Sequence, residues 1–392
     1  MTNRILVLGG DGYLGWPLVI RLARRIPQAK IVIIDSEFRR KMVRYSGFAP
    51  LYPVEALPGR VKALSDIYGI RNVDFILGDI NEKDFLPGIL KRYRPHTIFH
   101  LAHQCSTPFS MLDLEHAIFT VQNNVEGGLK LLYAMREFAP NAHLIQMGSF
   151  GEYARGGIEI AEGYFVPDYL GVAADTPMPY PRRADDIYHV SKINSSNFLM
   201  MASRHWGLRI TEIMQSTIFG LHTDETIGKP ALYTRFDYDH VFGTVLNRFI
   251  TQSISGFPLT VYGNGKQRTG LMSLSSSVSS LASLVGKSPK IGEHKVINHS
   301  TESGYTVGGL ARFIQQEFVD ANVNIEVDYS HDPRAEINHP DDQSTVNTEY
   351  LDLMPKRKFC DEVRDFWSHV NQAGRLIKQE YFAPSSSKKF EI

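Results

Sequence analysis

Short apolar runs alternate with longer amphipathic stretches through the first half of the chain. The apolar runs have the length of buried strands and lie at 5–8, 31–34, 73–77, 97–101, 143–147 and 209–215. Helical periodicity marks the stretches between most of them and is longest at 122–138 and 186–205. Because strands that alternate with helices pair in parallel, the pattern predicts an α/β fold with a doubly wound parallel sheet.

The pattern changes after about residue 220, where proline and glycine divide the chain into shorter pieces. We expect a first domain at 1–220 and a smaller, partly interleaved α/β domain, mainly at 221–380, that binds the substrate. Residues 268–290 are expected to pack back on the first domain, since apolar side chains within the serine-rich stretch at 273–283 indicate a helix. The end of the chain, 384–392, is expected to be a flexible tail.

Composition excludes several classes of function. The 42 basic and 42 acidic side chains cancel, so no net field attracts nucleic acid or an anionic membrane. The two cysteines, Cys105 and Cys360, give neither a disulfide framework nor a zinc-binding spacing, which is typical of a reducing compartment. There is no signal-peptide pattern and no apolar run of about 18 residues. We therefore expect a cytoplasmic protein that binds neither nucleic acid nor a membrane.

A glycine-rich turn follows the first predicted strand. Gly9, Gly12 and Gly15 separate this strand from an amphipathic helix, and Asp35 ends the second strand about 20 residues beyond the turn. Such glycines let the backbone turn tightly and approach a pyrophosphate, which the helix N-terminus attracts. An acidic residue at Asp35 accepts hydrogen bonds from ribose hydroxyls. The unit predicts a Rossmann-type dinucleotide site that prefers NAD to NADP.

A tyrosine and a lysine four residues apart lie in the stretch at 186–205. Tyr188 and Lys192 share one face of the predicted helix. The ammonium is expected to lower the pKa of the Tyr188 phenol from its usual value of about 10 toward working pH. A phenolate in this position takes a hydroxyl proton while hydride leaves the same carbon. The pair predicts reversible oxidation of an alcohol.

Polar side chains also follow the strand at 143–147. Ser149 and Glu152 lie at the edge of the sheet where such folds bind substrate. We expect Ser149 to hydrogen-bond the substrate hydroxyl that Tyr188 deprotonates. Glu152 is either an acid or base for a neighbouring carbon or a solvated loop residue. His189 either lies in the substrate cleft or packs against the fold.

Two histidines and a cysteine lie close together after the fourth strand. His100, His103 and Cys105 supply too few ligands for a zinc site, so no metal is predicted. His100 is expected in the core, whereas His103 is expected to face the cofactor or the substrate.

The glycine turn, Asp35, Ser149 and the Tyr188–Lys192 pair, in this order, resemble the extended short-chain dehydrogenase/reductase superfamily of nucleotide-sugar epimerases and dehydratases. Within it the chain is most similar to the UDP-sulfoquinovose synthase family. That similarity runs from about residue 4 to beyond 336 and rests on GGDGYLGW (9–16), STPFSM (106–111), NNV (123–125), GEY (151–153), YHVSK (188–192), TDET (223–226), FDYDHVFGTVLNRF (236–249), LTVYG (259–263) and DPRAE (332–336). Departures from the family pattern occur at His103, Cys105, Ser149 and Thr269.

The resemblance implies a reaction of UDP-glucose with sulfite on bound NAD. Tyr188, assisted by Lys192 and Ser149, would oxidise C4 of the glucose unit, which acidifies the proton on C5. Glu152 and His189 would supply the acid and the base that remove water across C5 and C6, with the two roles left open. Sulfite would then add at C6 and hydride would return to C4. The family likeness also implies a homodimer or a higher homo-oligomer.

The same resemblance, together with the loop positions, implies which residues contact the cofactor and which contact the substrate. The expected cofactor contacts are Gly9, Asp11, Gly12, Tyr13, Leu14, Gly15, Asp35, Arg39, Arg40, Asp79, Ile80, Leu101, Ala102, His103, Asn123, Tyr188, Lys192 and Gln215. The expected substrate contacts are Gln104, Ser149, Arg235, Arg248, Thr260, Tyr262, Gln267, Arg268, Arg334 and Glu336. The arginines suit a diphosphate because each guanidinium offers paired, charge-assisted hydrogen bonds.

Two other functions fit the same residues. The first is an NAD-dependent 4-epimerase or 4,6-dehydratase for another nucleotide sugar, although such dehydratases typically carry Thr-Asp-Glu where this chain has Ser149-Phe150-Gly151. The second is a noncatalytic NAD-binding sensor, which the presence of Tyr188 and Lys192 disfavours.

Overall fold

The computed structural model describes residues 3–154, 159–301, 305–318, 327–330 and 357–382. Its strands are, in chain order, β1 (Arg4–Leu8), β2 (Lys30–Asp35), β3 (Val73–Leu77), β4 (Thr97–His100), β5 (His143–Ser149), β6 (Tyr164–Phe165), β7 (Asp168–Tyr169), β8 (Val172–Ala173), β9 (Met178–Pro179), β10 (Arg209–Gln215), β11 (Thr217–Phe219), β12 (Leu259–Tyr262), β13 (Leu271–Ser273), β14 (His294–His299) and β15 (Val327–Ser330).

The α-helices of the described residues lie between these strands and after them. They are α1 (Gly15–Arg25), α2 (Phe38–Tyr45), α3 (Leu57–Tyr68), α4 (Phe85–Tyr93), α5 (Thr107–Ser110), α6 (Leu114–Val121), α7 (Gly127–Phe138), α8 (Ile187–Trp206), α9 (Val245–Ser255), α10 (Leu274–Ser283), α11 (Val307–Glu317) and α12 (Phe359–Asn371). A π-helical turn, Gln122–Glu126, joins α6 to α7. None of the described helices is long and apolar enough to cross a bilayer.

Seven parallel strands form the central sheet in the order β14–β10–β5–β4–β1–β2–β3. This arrangement confirms the predicted α/β fold with a doubly wound parallel sheet. The order reverses between β1 and β4, because the chain builds one side of the sheet from β1 to β3 and the other from β4 to β14. Ligands bind at the carboxyl ends of the strands beside such a reversal.

Alternate residues of the strands belong to two apolar layers, one on each face of the sheet. Ile5 and Val7 face a layer that includes α1, α3 and α10, whereas Leu6 and Leu8 face α4, α7 and α8. The serine-rich stretch predicted as a helix is α10, and its Leu281 is buried in the first layer with α1. Helices on both faces keep the strands fully covered, as a parallel sheet requires.

A further apolar cluster lies outside these two layers. It joins Phe236 to Phe249 of α9, Leu259 of β12, Leu310 of α11 and Phe366 of α12, all of them buried. This cluster supports the segments that lie opposite the carboxyl ends of the central strands. The predicted domain boundaries near residue 220 stay a prediction, and the predicted tail at 384–392 lies outside the described residues.

Candidate active site

A cavity of about 950 Å³ lies at the carboxyl ends of the central strands. One wall comes from the loops that follow β1, β2, β4 and β5, and the opposite wall comes from the segments near α9 and β12. The cavity spans the reversal of strand order between β1 and β4. Its place in the fold is therefore the one that open α/β sheets use for ligands.

The glycine turn fits a dinucleotide because it brings three pieces of backbone together. Gly9 has a positive φ of 82°, and a Cβ there would lie 2.7 Å from the backbone of Leu101 and Ala102. A Cβ on Gly15 would lie 2.2 Å from the Gly9 carbonyl oxygen. Among the described residues no side chain caps the start of α1. Trp16 N–H donates to the Gly12 carbonyl oxygen at 3.2 Å and Pro17 has no N–H, so the Gly15 N–H is the donor of the first turn that is left for an anion. These residues could hold a pyrophosphate.

Asp35 ends β2 on the cavity wall, where the ribose of a dinucleotide would lie. Its two carboxylate oxygens accept hydrogen bonds from the backbone N–H groups of Asp11, at 2.9 Å, and Glu37, at 2.8 Å. Burial raises the pKa of Asp35 to about 6. The fixed carboxylate suits a free 2′-hydroxyl better than a phosphate, which is the preference for NAD that the sequence predicts.

Two predicted cofactor contacts have another role in the structure. The Asp11 carboxylate is held by Arg40 (Nη2–Oδ1, 2.8 Å) and by Arg60 (Nη1–Oδ1, 2.6 Å). Arg40 also donates to the Val54 carbonyl and does not line the cavity. The contact of Arg40 with the cofactor stays a prediction, and in this structure the buried charge of Asp11 attracts the guanidinium inward.

Arg39 lines the cavity but is also engaged. Its Nε donates to Asp237 Oδ2 at 3.1 Å, and the guanidinium lies 4.1 Å from the centroid of the Phe242 ring. Since Arg39 and Arg40 both pair with carboxylates, neither is left to bind a 2′-phosphate. The other predicted cofactor contacts, which also line the cavity, are Tyr13, Leu14, Asp79, Ile80, Leu101, Ala102, His103, Asn123, Gln215, Tyr188 and Lys192.

Helix α8 carries the predicted catalytic pair. Asp186 caps this helix by accepting a hydrogen bond from the His189 N–H at 2.9 Å. Tyr188 is buried on the cavity wall, and Lys192 Nζ lies 5.9 Å from the centroid of its ring. The Lys192 ammonium donates to the Met147 carbonyl at 2.7 Å, and burial lowers its pKa to about 8.

The expected lowering of the Tyr188 pKa is wrong for the protein without its cofactor. Burial raises the pKa of Tyr188 well above its usual value, because the phenolate would lose its hydration. Lys192 is directed at Met147 and does not reverse this effect. The phenol is therefore neutral in the protein without its cofactor.

Ser149 ends β5 on the cavity wall. Its hydroxyl lies 3.1 Å from His189 Nε2 and lowers the pKa of Tyr188 by less than burial raises it. The His189 ring lies 4.5 Å from the Tyr188 ring, centroid to centroid, and its Nδ1 lies 2.6 Å from Asp186 Oδ2. Of the two positions that the sequence leaves open for His189, the structure has it in the cavity.

Glu152 does not face the cavity. Its carboxylate is completely buried, accepts a hydrogen bond from the Ser149 N–H at 2.7 Å and forms an ion pair with Arg182. Burial raises the pKa of Glu152 to about 7. Of the two alternatives for Glu152, complete burial excludes a solvated loop residue. Its role as an acid or base at the sugar stays a prediction, and in this structure Arg182 pairs with the carboxylate. Glu152 instead fixes the backbone of Ser149.

The predicted substrate contacts differ in whether their side chains already pair with an acidic residue. Arg248 is buried beside the cavity, donates to Thr260 Oγ1 at 2.7 Å and lies 4.8 Å from the centroid of the Tyr262 ring. Within the described ranges it has no acidic partner. Arg235, in contrast, gives both arms of its guanidinium to Asp237 at 3.0 Å.

The remaining predicted substrate contacts divide into three groups. Gln267 and Arg268 line the cavity. Gln104 also lines it, but its amide donates to the Ser106 carbonyl and to Thr120 Oγ1, so it organises the loop after β4. Arg334 and Glu336 lie outside the described residues.

Two further sequence expectations concern histidines and metals. His100 is buried in β4, as expected for a core residue, and burial lowers its pKa to about 3. His103 lines the cavity. No group of three or more His, Cys, Asp or Glu side chains in the described part of the chain could hold a metal ion.

Three residues of this region were missed by reading the sequence. Asp186 orients His189, Arg182 binds Glu152, and Asp237 binds Arg39 and Arg235. A signal existed only for Asp186, since an aspartate directly before a predicted helix is a common N-cap. The other three pairs follow no spacing rule: Arg182–Glu152 and Asp237–Arg39 join positions at least thirty residues apart, and Asp237–Arg235 depends on a local turn.

Comparisons with known proteins agree on one family. The model of the NAD dependent epimerase/dehydratase family matches residues 5–274. A UDP-sulfoquinovose synthase of Sulfolobus acidocaldarius is 36% identical over 362 residues, which cover 92% of this chain and 91% of that protein. The chloroplastic UDP-sulfoquinovose synthase of Spinacia oleracea is 36% identical over 334 residues, covering 85% and 68%.

Solved structures share the fold at lower identity. A crystal structure of the UDP-glucuronic acid 4-epimerase from Bacillus cereus, in complex with UDP-glucuronic acid and NAD, matches with a TM-score of 0.65 at 16% identity. The match covers 94% of this chain and 99% of that one.

Proposed function

The chain belongs to the NAD dependent epimerase/dehydratase family and, within it, to the UDP-sulfoquinovose synthases, and from that premise we propose that it converts UDP-glucose and sulfite into UDP-sulfoquinovose. The observation that carries the proposal is the convergence of Tyr188, Ser149 and His189 on one cavity that also holds the buried Arg248. The cavity thus combines groups for moving protons with a cation for a diphosphate.

The residues on the β1 side of the cavity would hold NAD. When bound, NAD⁺ supplies the hydride acceptor for C4 of the glucose unit and returns that hydride at the end of the cycle. The Gly15 N–H at the start of α1 and the carboxylate of Asp35 bind and orient the dinucleotide. The engaged guanidinium of Arg39 favours NAD over NADP in this site.

Proton movement at C4 falls to Tyr188 and Ser149. Tyr188 lies on the cavity wall at the start of α8, and Ser149, also on the cavity wall, lowers its pKa. Tyr188 takes the proton of the C4 hydroxyl, while the buried ammonium of Lys192 favours negative charge near the phenol. His189 is the acid or base nearest to these groups, since Glu152 is held by Arg182 outside the cavity.

The net reaction replaces the C6 hydroxyl with a sulfonate. Loss of water removes the C5 proton and the C6 hydroxyl, and addition of hydrogen sulfite forms the carbon–sulfur bond at C6 and restores the C5 proton. C4 is oxidised and then reduced, so the complete cycle needs no external oxidant. UDP-glucose and hydrogen sulfite enter, and UDP-sulfoquinovose and water leave.

One incubation tests this function. The purified protein with NAD⁺, UDP-glucose and sulfite should release a nucleotide sugar whose mass shows exchange of a hydroxyl for a sulfonate. Unchanged UDP-glucose with the cofactor site fully occupied would contradict the proposal. A new hexose or a dehydrated sugar that forms without sulfite would instead support the 4-epimerase or 4,6-dehydratase alternative, and a cellular role that survives loss of turnover would support the noncatalytic sensor.

Arg248 is expected to bind the diphosphate of UDP-glucose. Arg248→Met keeps the apolar stem but removes the charge, so the KM for UDP-glucose should rise about 10–100-fold, as for the loss of one to two charge-assisted hydrogen bonds. The kcat should stay within a few-fold, because Arg248 lies away from Tyr188 on the α9 side of the cavity. Initial-rate kinetics over a range of UDP-glucose concentrations measure both constants.

The matched control is Arg364→Met. This variant carries the same substitution on α12, where Arg364 pairs with Glu317 on the surface and does not line the cavity. Its KM should equal that of the wild type. An unchanged KM in Arg248→Met would remove this residue from the proposed substrate site.

We also propose that the protein forms a homodimer through α6. Leu114, Ile118 and Val121 lie on one face of this helix, and their side chains are 73%, 46% and 43% exposed. Val190 of α8 adds a further exposed apolar side chain, at 41%. Contiguous apolar surface of this kind is typical of a protein interface.

Ile118→Glu should convert the dimer into a monomer at micromolar concentration, since a second copy would bury the new carboxylate. Light scattering coupled to size-exclusion chromatography measures the mass. Ile67→Glu is the control, because Ile67 is similarly exposed, at 41%, on α3. A wild-type protein that elutes as a monomer at every concentration would exclude the dimer.

A further inference from the structure

Ser149 belongs to a short turn that fixes its backbone and its hydroxyl together. Its N–H donates to Glu152 Oε1 at 2.7 Å, and its hydroxyl accepts a hydrogen bond from the Gly151 N–H at 3.2 Å. The two bonds make residues 149–152 a capping box, named the capping-box turn below. The direction of the Ser149 side chain therefore depends on where the Glu152 carboxylate is held.

Glu152 needs a counter-charge to stay in this place, because its carboxylate is completely buried. Arg182 forms an ion pair with Glu152, and its Nη2 donates to Glu212 Oε2 at 3.2 Å. Glu212 is buried as well, so one guanidinium binds two buried carboxylates. Gly148 leaves room for them, since a Cβ there would lie 3.0 Å from Glu152 Oε1 and 3.3 Å from Glu212 Oε1.

Arg182 lies in the segment that leads into α8, the helix with the predicted catalytic pair. The backbone N–H of Arg183 donates to the Glu152 carbonyl at 2.9 Å, so this segment also meets the capping-box turn through its backbone. Ser196 of α8 donates to Glu212 Oε2 at 2.9 Å. Arg182 thus connects the capping-box turn to α8 by two routes, one along the chain and one through Glu212.

We propose that Arg182 is a positioning residue that places Ser149 against the start of α8 for the oxidation at C4. Arg182 does not line the cavity, so it acts without touching the cofactor or the sugar. It acts through Glu152, whose carboxylate it holds where the Ser149 N–H can donate to it. In this arrangement the Ser149 hydroxyl lies 3.1 Å from His189 Nε2, which belongs to α8.

Loss of this connection should lower the rate of oxidation without weakening substrate binding. A shift of about 1 Å in a group that orients the reacting atoms costs on the order of 10²-fold in rate. Arg248, the residue expected to bind the diphosphate, lies on α9 and is not part of this group of charges. The proposal rests on the proposed function only for the identity of the sugar.

Arg182→Met tests the proposal, since it removes the charge and keeps the apolar stem of the side chain. With UDP-glucose and no sulfite, the rate at which absorbance rises at 340 nm should fall about 10–10²-fold. The KM for UDP-glucose and the amount of bound NAD should stay unchanged. Arg182→Lys keeps a positive charge between the two carboxylates, so it should recover part of the lost rate.

Two results would overturn the proposal. The first is a wild-type rate in Arg182→Met. The second is a parallel loss of bound NAD with a higher KM in both Arg182 variants, because Arg182 would then only support the fold.

Glu152→Gln and Glu152→Ala separate positioning from acid–base chemistry at the sugar. Glutamine keeps an oxygen that can accept the Ser149 N–H, whereas alanine has none. Glu152→Gln should therefore be about 10-fold faster than Glu152→Ala at 340 nm, as for one retained hydrogen bond. A glutamine variant as slow as the alanine variant would assign the carboxylate to the chemistry and contradict the positioning role.

An arginine–carboxylate pair outside the cavity supplies the matched control. Arg21 Nη2 donates to Glu225 Oε2 at 3.1 Å, and Glu225 is also buried. Neither residue lines the cavity. Arg21→Met should leave the rate at 340 nm unchanged, although it too removes the cation from a buried carboxylate.

Amide hydrogen exchange of the protein without cofactor gives a readout that needs no substrate. In Arg182→Met the peptide with the capping-box turn should exchange faster than in the wild type, because the Ser149 N–H loses its fixed acceptor. Arg21→Met should not change the exchange of this peptide. Unaltered protection of the turn in Arg182→Met, or faster exchange throughout the central sheet, would contradict the proposed role.

Failure of the proposed function is a separate result. A wild-type protein that oxidises UDP-glucose at 340 nm but makes no sulfonated product would refute the synthase assignment and leave the role of Arg182 standing. If UDP-glucose is not oxidised at all, the exchange measurement still decides whether Arg182 holds the capping-box turn.

Discussion

Replacing Tyr188 with phenylalanine is expected to lower the turnover of UDP-glucose and sulfite by about 10²–10⁴-fold, the range for removal of a general acid–base group. The phenolic oxygen is the group that would take the proton of the C4 hydroxyl, and phenylalanine has no atom to replace it. The ring itself is kept, so the packing of the buried side chain against His189 should change little. Mass spectrometry of the nucleotide sugars measures the product.

Cofactor occupancy separates a chemical effect from a structural one. Tyr188→Phe should keep its bound NAD, which release by denaturation and absorbance can quantify. Tyr153→Phe is the matched control, since Tyr153 is also buried, donates to Asn298 Oδ1 at 2.5 Å and does not line the cavity. Its turnover should stay near that of the wild type. Turnover of Tyr188→Phe near the wild-type rate would remove this tyrosine from the mechanism.

The parallel sheet was predictable because its strands are buried on both faces. Such strands appear as continuous apolar runs, and those at 5–8 and 31–34 correspond to β1 and β2. β14, the seventh strand, was missed. Its sequence, His-Lys-Val-Ile-Asn-His, has only two central apolar residues, and among the described strands it pairs with β10 alone, at the edge of the sheet.

The positions of the catalytic residues were predictable from the sequence, but their protonation states were not. The spacing of Tyr188 and Lys192 gives a shared helix face, yet the effect of burial on their pKa values depends on packing that no spacing reveals. The same limit applies to Glu152. A carboxylate after a strand end can point into the cleft or away from it. The direction of Glu152 is set by its ion pair with Arg182, which lies thirty residues later in the chain.

Charge pairing between residues far apart in sequence was the feature of the cofactor site that the sequence did not reveal. Asp11 lines the cavity, but its carboxylate binds the guanidinium of Arg40. A buried charge is stable only when it is paired, so a pair forms wherever the fold permits one. The sequence contains the two residues without indicating that Arg60, from α3, completes the group.

This group of charges should make Asp11→Asn one of the most destabilising substitutions in the protein. Arg60 is completely buried, its Nη1 lies 2.6 Å from Asp11 Oδ1, and burial lowers its pKa to about 10 despite the carboxylate. Without Asp11, two guanidinium groups would face each other with no negative charge between them. We expect the free energy of unfolding to fall by about 3–5 kcal/mol, as for other broken buried ion pairs.

Denaturant titrations of the cofactor-free protein measure this loss, and two further variants locate its origin. Asp74→Asn removes the partner of Lys30 at the surface, where an ion pair contributes at most about 1 kcal/mol. Asp11→Asn combined with Arg60→Met removes the buried cation together with its counter-charge, so it should recover part of the lost stability.

If the single Asp11→Asn variant is as stable as Asp74→Asn, the carboxylate is not what holds Arg40 and Arg60 beneath the glycine turn. A double variant less stable than Asp11→Asn alone would show instead that Arg60 acts through its packing on Trp16, whose ring centroid lies 4.2 Å from the guanidinium.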